Sequence, residues 1–347
     1  PYTGSAEITG SLGITGSVSF ASSSLQTIPG STAWSAGGAL TTGRIQLAGA
    51  GTQNAALAFG GCDSGFETCT EEYNGTSWSS GGSLSEGKYW LSGVGTQTAA
   101  LAFGGNYYSP SDTTEEYNGL SWGYAQNMND GREQAAGIGT TSAALAVGGY
   151  AYSHLNTTEE YDGTFWSTSD TISTARTQLA GIGTTTSGLI FGGEDNTSTN
   201  VTCTEEYNGA SWSTAGVGPL STPRSALAGA GTQNAGLAFG GGGGGRCTEE
   251  YNGATWSAGG ALATSTYELA GAGTPTAALA FGGYGSSGYS CTQEYTESPP
   301  RTVMGDSKTQ FNYSPSTGKT MIIPPTTDPA IVGALWNNGG TLAISAG

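Results

Sequence analysis

Basic residues are scarce in this chain: nine Lys and Arg stand against 26 Asp and Glu, a formal net charge of −17 over 347 residues. Neutralising phosphate needs clustered Lys and Arg, so nucleic acid is excluded as a partner class. Histidine is scarcer still, His154 being the only one. A two-histidine copper site cannot be built from it, and a Ser-His-Asp or Cys-His set has a single conceivable centre. No apolar run approaches membrane-spanning length and no secretory signal pattern is present, so membrane insertion is not expected. Charged residues make up only 10% of the chain while glycine supplies 61 positions, a composition near that of low-complexity sequence. Large apolar residues nevertheless return in register, which low-complexity chains lack.

The register is a repeat of about 44 residues. A double glycine recurs at Gly60-Gly61, Gly104-Gly105, Gly148-Gly149, Gly192-Gly193, Gly240-Gly241 and Gly282-Gly283. Each is followed by an acidic segment ending in Tyr73, Tyr117, Tyr161, Tyr207, Tyr251 or Tyr295. Five of these tyrosines have a tryptophan five residues on: Trp78, Trp122, Trp166, Trp212 and Trp256. Tyr295 has none, whereas an unpartnered Trp34 precedes the first copy. A linear stack has no reason to begin and end out of phase; a closed ring does.

Within one copy, runs 45–51 and 55–59 flank Thr52-Gln53-Asn54, a hairpin signature. A variable stretch, 62–68, leads to an alternating third strand at 69–73. The Asn74-Gly75 turn then precedes a fourth strand opening at Trp78. The two leading strands are mostly Gly, Ala and Leu, and the two trailing ones carry Tyr and Trp. That gradient suits wedges converging on an axis. The expected fold class is all-β: a six-bladed propeller of four-stranded antiparallel blades over 31–298, closed by an N-terminal strand around Trp34. A fibrous β stub is expected at 1–30, and a C-terminal β segment for assembly or attachment at 299–347.

The double glycine, the tyrosine and the tryptophan five residues later, with Arg44, Arg132, Arg176 and Arg224 opening the first strand, resemble the kelch repeat. The resemblance spans about residues 34–297, with Lys88 and Thr266 replacing the arginine in two copies. Kelch-like rings serve as adaptors, lectin-like modules and oxidases, so the resemblance implies a fold more than a function. Six-bladed sialidases are similar in blade count, but they need clustered arginines and an Asp-x-Gly turn motif, and here the arginines are spread one per blade. Residues 2–19 carry a six-residue rhythm, Tyr-Thr-Gly-Ser then Ile-Thr-Gly-Ser twice, as in β-helical or intertwined fibrous stalks. Residues 326–347, around Asn337-Asn338-Gly339-Gly340, look like the closing segment of tailed-phage virion proteins, marine ones in particular. These flanks imply a virion surface or fibre protein with other virion proteins as partners, and a homotrimer formed through the flanks.

Four cysteines, Cys69, Cys203, Cys247 and Cys291, share one repeat position that is Thr113 or Thr157 in other copies. Equivalent positions in separate blades exceed the ~7 Å Cα separation a disulfide permits. Cys62 and Cys69 are close enough in sequence to bridge one hairpin in an oxidising compartment. The second glutamate of each acidic step (72, 116, 160, 206, 250, 294) is present in all six copies. A residue in every blade is expected to build the blade, here by pairing with the strand-opening Arg or Lys or with backbone N–H groups.

Function is expected where the repeat varies. Loops joining strands two to three and four to one share one face. The former read Cys62–Thr68, Asn106–Thr113, Tyr150–Thr157, Glu194–Thr202, Gly242–Arg246 and Tyr284–Ser290. They carry Tyr107, Tyr108, Tyr150, Tyr152, His154, Tyr284 and Tyr289; Tyr89, Trp90, Tyr124 and Tyr267 lie on the approach to the innermost strand. Trp90 occupies a place held by Gln46, Gln134 and Gln178 in other copies. Flat rings with polar tips suit stacking on sugars and bonding to hydroxyls. The expectation is non-catalytic binding of a host-surface glycan, with no metal or cofactor. Besides a protein-binding adaptor, against which the fibrous stub and virion-like tail argue, two alternatives stand next to it. One is a structural decoration or spacer protein. The other is a polysaccharide depolymerase using an acid pair drawn from Glu86, Asp112, Asp130, Glu133, Glu194 and Asp195.

Overall fold

The computed structural model describes residues 25–28, 31–285, 289–298, 301–304, 309–314, 319–323, 335–338 and 341–344. Among these residues there are strands and no helix. The chain divides into two compact units, one of Thr32–Thr296 and one of Pro1–Ser31 with Glu297–Gly347.

The larger unit is built from the repeat. In blade 1, Ala48–Thr52, Ala55–Phe59, Thr70–Tyr73 and Trp78–Ser80 form a four-stranded antiparallel meander. Its register pairs Ala48 with Phe59, Leu57 with Glu72 and Tyr73 with Trp78. The Asn74 side chain accepts the N–H groups of Thr76 and Ser77, fixing the tight turn between the last two strands. Six such sheets stand among the described residues, making a six-bladed propeller. In the sixth, Ser31–Ala36 lies outside Thr292–Ser298, followed inward by Ala277–Phe281 and Ala270–Thr274. The first strand starts three residues later than the apolar run suggests. Gln46 adopts φ +58°, and a left-handed residue cannot continue an extended ladder.

Each core cluster is shared by neighbouring blades. Ala48, Ala50, Leu57 and Phe59 of blade 1 pack with Leu84, Leu91, Ala100, Ala102, Tyr117 and Trp122. The small inner-strand residues make this approach possible: a Cβ on Gly93 would lie 2.4 Å from Phe59 Cζ. The tryptophan of each blade's outermost strand crosses to the preceding blade, its indole N–H donating to a threonine hydroxyl at 2.9–3.1 Å, as from Trp122 to Thr70 and Trp78 to Thr292. The Trp34 indole makes the equivalent bond to Thr248.

The acidic step divides its work differently from the sequence expectation. The first glutamate, not the second, meets the basic residue. Glu71, Glu115, Glu159, Glu205 and Glu249 face Arg44, Lys88, Arg132, Arg176 and Arg224, all buried. In blade 3, Arg132 bonds the carbonyls of Gly148 and Thr157 as well as Glu159, which accepts the backbone N–H groups of Asn129 and Asp130. The pair thus pins both corners of the variable face. The second glutamate turns the other way and accepts a tyrosine hydroxyl from the next blade at 2.5–3.0 Å: Tyr117 on Glu72, Tyr161 on Glu116, Tyr251 on Glu206, Tyr295 on Glu250 and Tyr73 on Glu294. Adjacent strand residues point to opposite faces, so two consecutive glutamates cannot share one partner. Burial and the carboxylate acceptor push the Tyr73 and Tyr161 phenols up to about 12. In blade 4 the pattern changes, Tyr207 sharing a hydrogen bond with the Ser169 hydroxyl.

Blade 6 shows the electrostatic logic by omission. Where Thr266 replaces the arginine, Gln293 replaces the first glutamate and accepts Thr264 N–H at 3.2 Å. A buried carboxylate without its cation is costly, and the neutral amide avoids that cost. All five cysteines are free thiols, so Cys62 and Cys69 are not bridged. Cys69 instead lies beside the Arg44 guanidinium, which donates to its sulfur and its carbonyl.

In the smaller unit, Leu25–Ile28, Arg301–Met304, Thr309–Ser314 and Lys319–Ile323 form a four-stranded sheet in that order. Leu335–Asn338 pairs antiparallel with Thr341–Ile344. The six-residue rhythm of residues 2–19 lies outside the described residues.

Arg132→Met strands the Glu159 carboxylate and is expected to cost about 3–5 kcal/mol in denaturant unfolding. The double variant Arg132→Thr, Glu159→Gln copies blade 6 and should recover most of that loss. A double variant as unstable as the single one would refute the charge-pair account. Trp34→Ala is expected to lower stability as much as Trp122→Ala, each by about 3–5 kcal/mol. A markedly smaller loss for Trp34 would detach its strand from the ring.

Candidate functional site

The geometry of the variable face begins at the axis. Gln46, Trp90, Gln134, Gln178, Ala226 and Glu268 occupy one position in the six blades, and all six have φ between +52° and +59°. This left-handed backbone turns each N–H sideways onto its neighbour. Trp90 N–H donates to Gln46 C=O, Gln134 to Trp90, Gln178 to Gln134, Ala226 to Gln178, Glu268 to Ala226 and Gln46 to Glu268, at 2.8–3.0 Å. The six bonds make a closed cycle, so blade 6 and blade 1 meet at the axis like any other pair. The six side chains, with Leu47, Leu91, Ala135, Leu179, Leu227 and Leu269, line a cavity of about 110 Å³. Sequence periodicity marks the position but not the conformation, because Gln, Trp, Ala and Glu give no left-handed signal.

The mouth of this cavity is polar and asymmetric. Gln46 Nε2 donates to Glu268 at 3.0 Å and Gln46 Oε1 receives the Cys62 thiol at 3.3 Å. Gln134 accepts the Thr177 hydroxyl. Burial pushes the Glu268 carboxyl above its ordinary range, with the Gln46 bond pulling partly back. Glu133 is buried beside the mouth, accepts Asn106 Nδ2 at 2.5 Å and is likewise pushed up by burial.

Around the mouth, eight of the nine aromatic and histidine residues nominated by sequence separate into three groups, and Tyr152 stands outside them. Tyr89, Trp90, Tyr107 and Tyr108 come together around Phe66, which the tyrosine-rich pattern of the loops does not nominate. Phe66 stacks on Tyr89 at 5.2 Å and 28°, meets Tyr107 and Tyr108 edge-on at 5.8 and 5.2 Å, and Tyr89 contacts Trp90 at 5.1 Å. Five rings from the loops of blades 1 and 2 therefore run continuously to the axial mouth. Tyr284 and Tyr289 join Tyr267 in a second group on blade 6, at 5.1 and 5.5 Å. Tyr150 meets His154 edge-on at 5.7 Å on blade 3. Tyr124, read as an approach to the inner strand, belongs to the outer strand Trp122–Tyr124.

Two tyrosines are presented outward at conformational cost. Tyr108 and Tyr152 sit at the same point of equivalent loops, closed by bridges between Asn106 and Pro110 and between Tyr150 and His154. Both are left-handed, φ +63° and +61°, and they are 82% and 80% exposed. A bulky residue held in that region is strained, and such strain gathers at binding sites.

The acids weighed as a catalytic pair are spread around the ring. Asp195 caps its own loop by accepting Thr197 and Thr199 N–H groups, Glu194 stands opposite Thr177, and Glu133 is committed to Asn106. No protein-family model and no curated protein matches the chain, so the kelch and phage-fibre resemblances rest on the residues that carry them.

Because Glu268 holds its proton to a higher pH in the folded state than in the unfolded chain, its ionisation opposes folding. That penalty is absent below the ordinary carboxylate value of about pH 4 and grows as pH rises through the raised folded value. Glu268→Gln is thus expected to raise the melting temperature at about pH 7 and to leave it nearly unchanged at about pH 3.5. An equal shift at both values would overturn this assignment.

Proposed function

We propose that this chain is a virion surface or fibre protein whose propeller binds host-surface carbohydrate without cleaving it. The observation that carries the carbohydrate reading is the five-ring run of Phe66, Tyr89, Trp90, Tyr107 and Tyr108 ending at a polar axial mouth. Pyranose rings present C–H faces that stack on aromatics and hydroxyls that bond to amides and carboxylates. Both kinds of partner lie side by side here, on the face where blade loops differ. The other face repeats the same short turns in every blade, a pattern suited to architecture rather than recognition.

Placement on a virion is supported by the flanking sequences: the six-residue rhythm at 2–19 and the closing segment at 326–347. On the same ground the chain assembles as a homotrimer through its flanks, alongside other virion proteins. Light scattering of the full chain should give three times its 34.7 kDa mass; a monomer at micromolar concentration would sink the trimer.

The binding reading is tested on a glycan array. Trp90→Gln inserts the residue found at the same place in blades 1, 3 and 4, and Tyr108→Ser copies Ser64 of blade 1. Both variants are expected to keep the melting temperature of the parent and to weaken glycan binding about tenfold or more, since ring–sugar stacking is worth roughly 1–2 kcal/mol. A blank array at high protein concentration favours the spacer role. New reducing ends from incubated capsule or lipopolysaccharide favour the depolymerase.

A further inference from the structure

We infer, resting on the carbohydrate reading, that this face accepts uncharged or amine-bearing sugars and rejects glycans recognised through carboxylate, sulfate or phosphate groups. Binding an anionic sugar requires a cation free to reach it, commonly a bidentate Arg. The unit Thr32–Thr296 contains six Lys and Arg in all: Arg44, Lys88, Arg132, Arg176, Arg224 and Arg246. Five of these are 0–1% exposed. They are held by Glu71, Glu115, Glu159, Glu205 and Glu249 at 3.2, 3.6, 2.5, 2.7 and 2.9 Å. Four of the five also hold the carbonyls at the blade corners, so swinging one out to a ligand would strand a buried carboxylate and unpin a corner.

The sixth, Arg246, is exposed, but it lies in the blade 5 loop and its Nε donates to Leu262 C=O at 2.5 Å. In a ring of six, blade 5 stands opposite blade 2, across the axis from the five-ring run. Carboxylates, by contrast, border that run. Asp63 and Glu67 share the blade 1 loop with Phe66, Glu133 is bonded to Asn106 at the base of the Tyr107–Tyr108 loop, and Glu268 stands in the mouth. Burial and the charges of Glu268, Asp63 and Glu67 all push the Cys62 thiol up, in keeping with a negative field there. Aromatic faces are themselves negative and attract cations, adding to the same selectivity. The net charge of −17 does not settle this matter alone, because a single free arginine at the site would reverse the local sign. The burial of the five cations decides it.

The experiment compares matched glycan pairs on the full chain by array and titration calorimetry. Each neutral or amine-bearing glycan is set against the same glycan capped by a uronate, sialate or sulfate group. Bound glycans are expected to be neutral or amine-bearing, and each acidic cap should weaken binding about tenfold or more at low salt. Raising the salt to about 0.5 M should narrow the gap, since screening shortens the reach of the field, as should Glu133→Gln with Glu268→Gln. An acid-capped glycan bound as tightly as its parent overturns the inference while leaving carbohydrate binding intact. No binding of any glycan overturns the carbohydrate reading itself, and the inference with it.

Discussion

Six backbone N–H groups, each donating to the carbonyl of the neighbouring blade, form the cycle on which the rest of the propeller depends. The cycle requires a left-handed residue at every blade entrance, and it is continuous from Glu268 to Gln46. Its consequences reach outward and upward. Outward, it sets the convergence of the blades, so the inner strands must be Gly- and Ala-rich while tyrosine and tryptophan fill the widening gaps. Upward, it aims six side chains into one mouth, and that mouth is where the blades cease to be equivalent.

Electrostatics are divided by radius and by face. In five of the six blades the first glutamate of the acidic step is buried with a basic residue and holds the backbone at the corner of the variable face. The second glutamate, at five of its six positions, reaches sideways to a tyrosine of the next blade. A sequence with so few cations thus places most of them where no ligand can touch them. Carboxylates border the five-ring run, and the exposed Arg246 lies in the blade 5 loop across the axis from it.

Much of this was legible in the sequence. The period, the blade count, the four-stranded meander and the inward gradient of size all follow from spacing and side-chain volume. The face on which loops vary follows from strand alternation. Which glutamate meets which partner did not follow, because two adjacent acids differ only in the direction their side chains leave the strand. Phe66 escaped notice because one phenylalanine in a loop is unremarkable until its neighbours stack around it. The paired exchange of Thr266 and Gln293 was visible as two departures from pattern, but its meaning appears only once the two positions are seen to face each other.

The sequence by itself determined that a ring forms and how many wedges it holds, since those depend on local periodicity and residue size. Tertiary structure alone decided three further things. It set the left-handed cycle at the axis, which depends on what the neighbouring blade offers rather than on local propensity. It gathered Tyr89, Trp90, Tyr107 and Tyr108 with Phe66 into one surface and left Tyr150, His154, Tyr284 and Tyr289 in separate groups, because loops distant in sequence meet only when blades are adjacent. It also withdrew five cations from solvent. Burial is a property of three-dimensional packing that no count of charges contains.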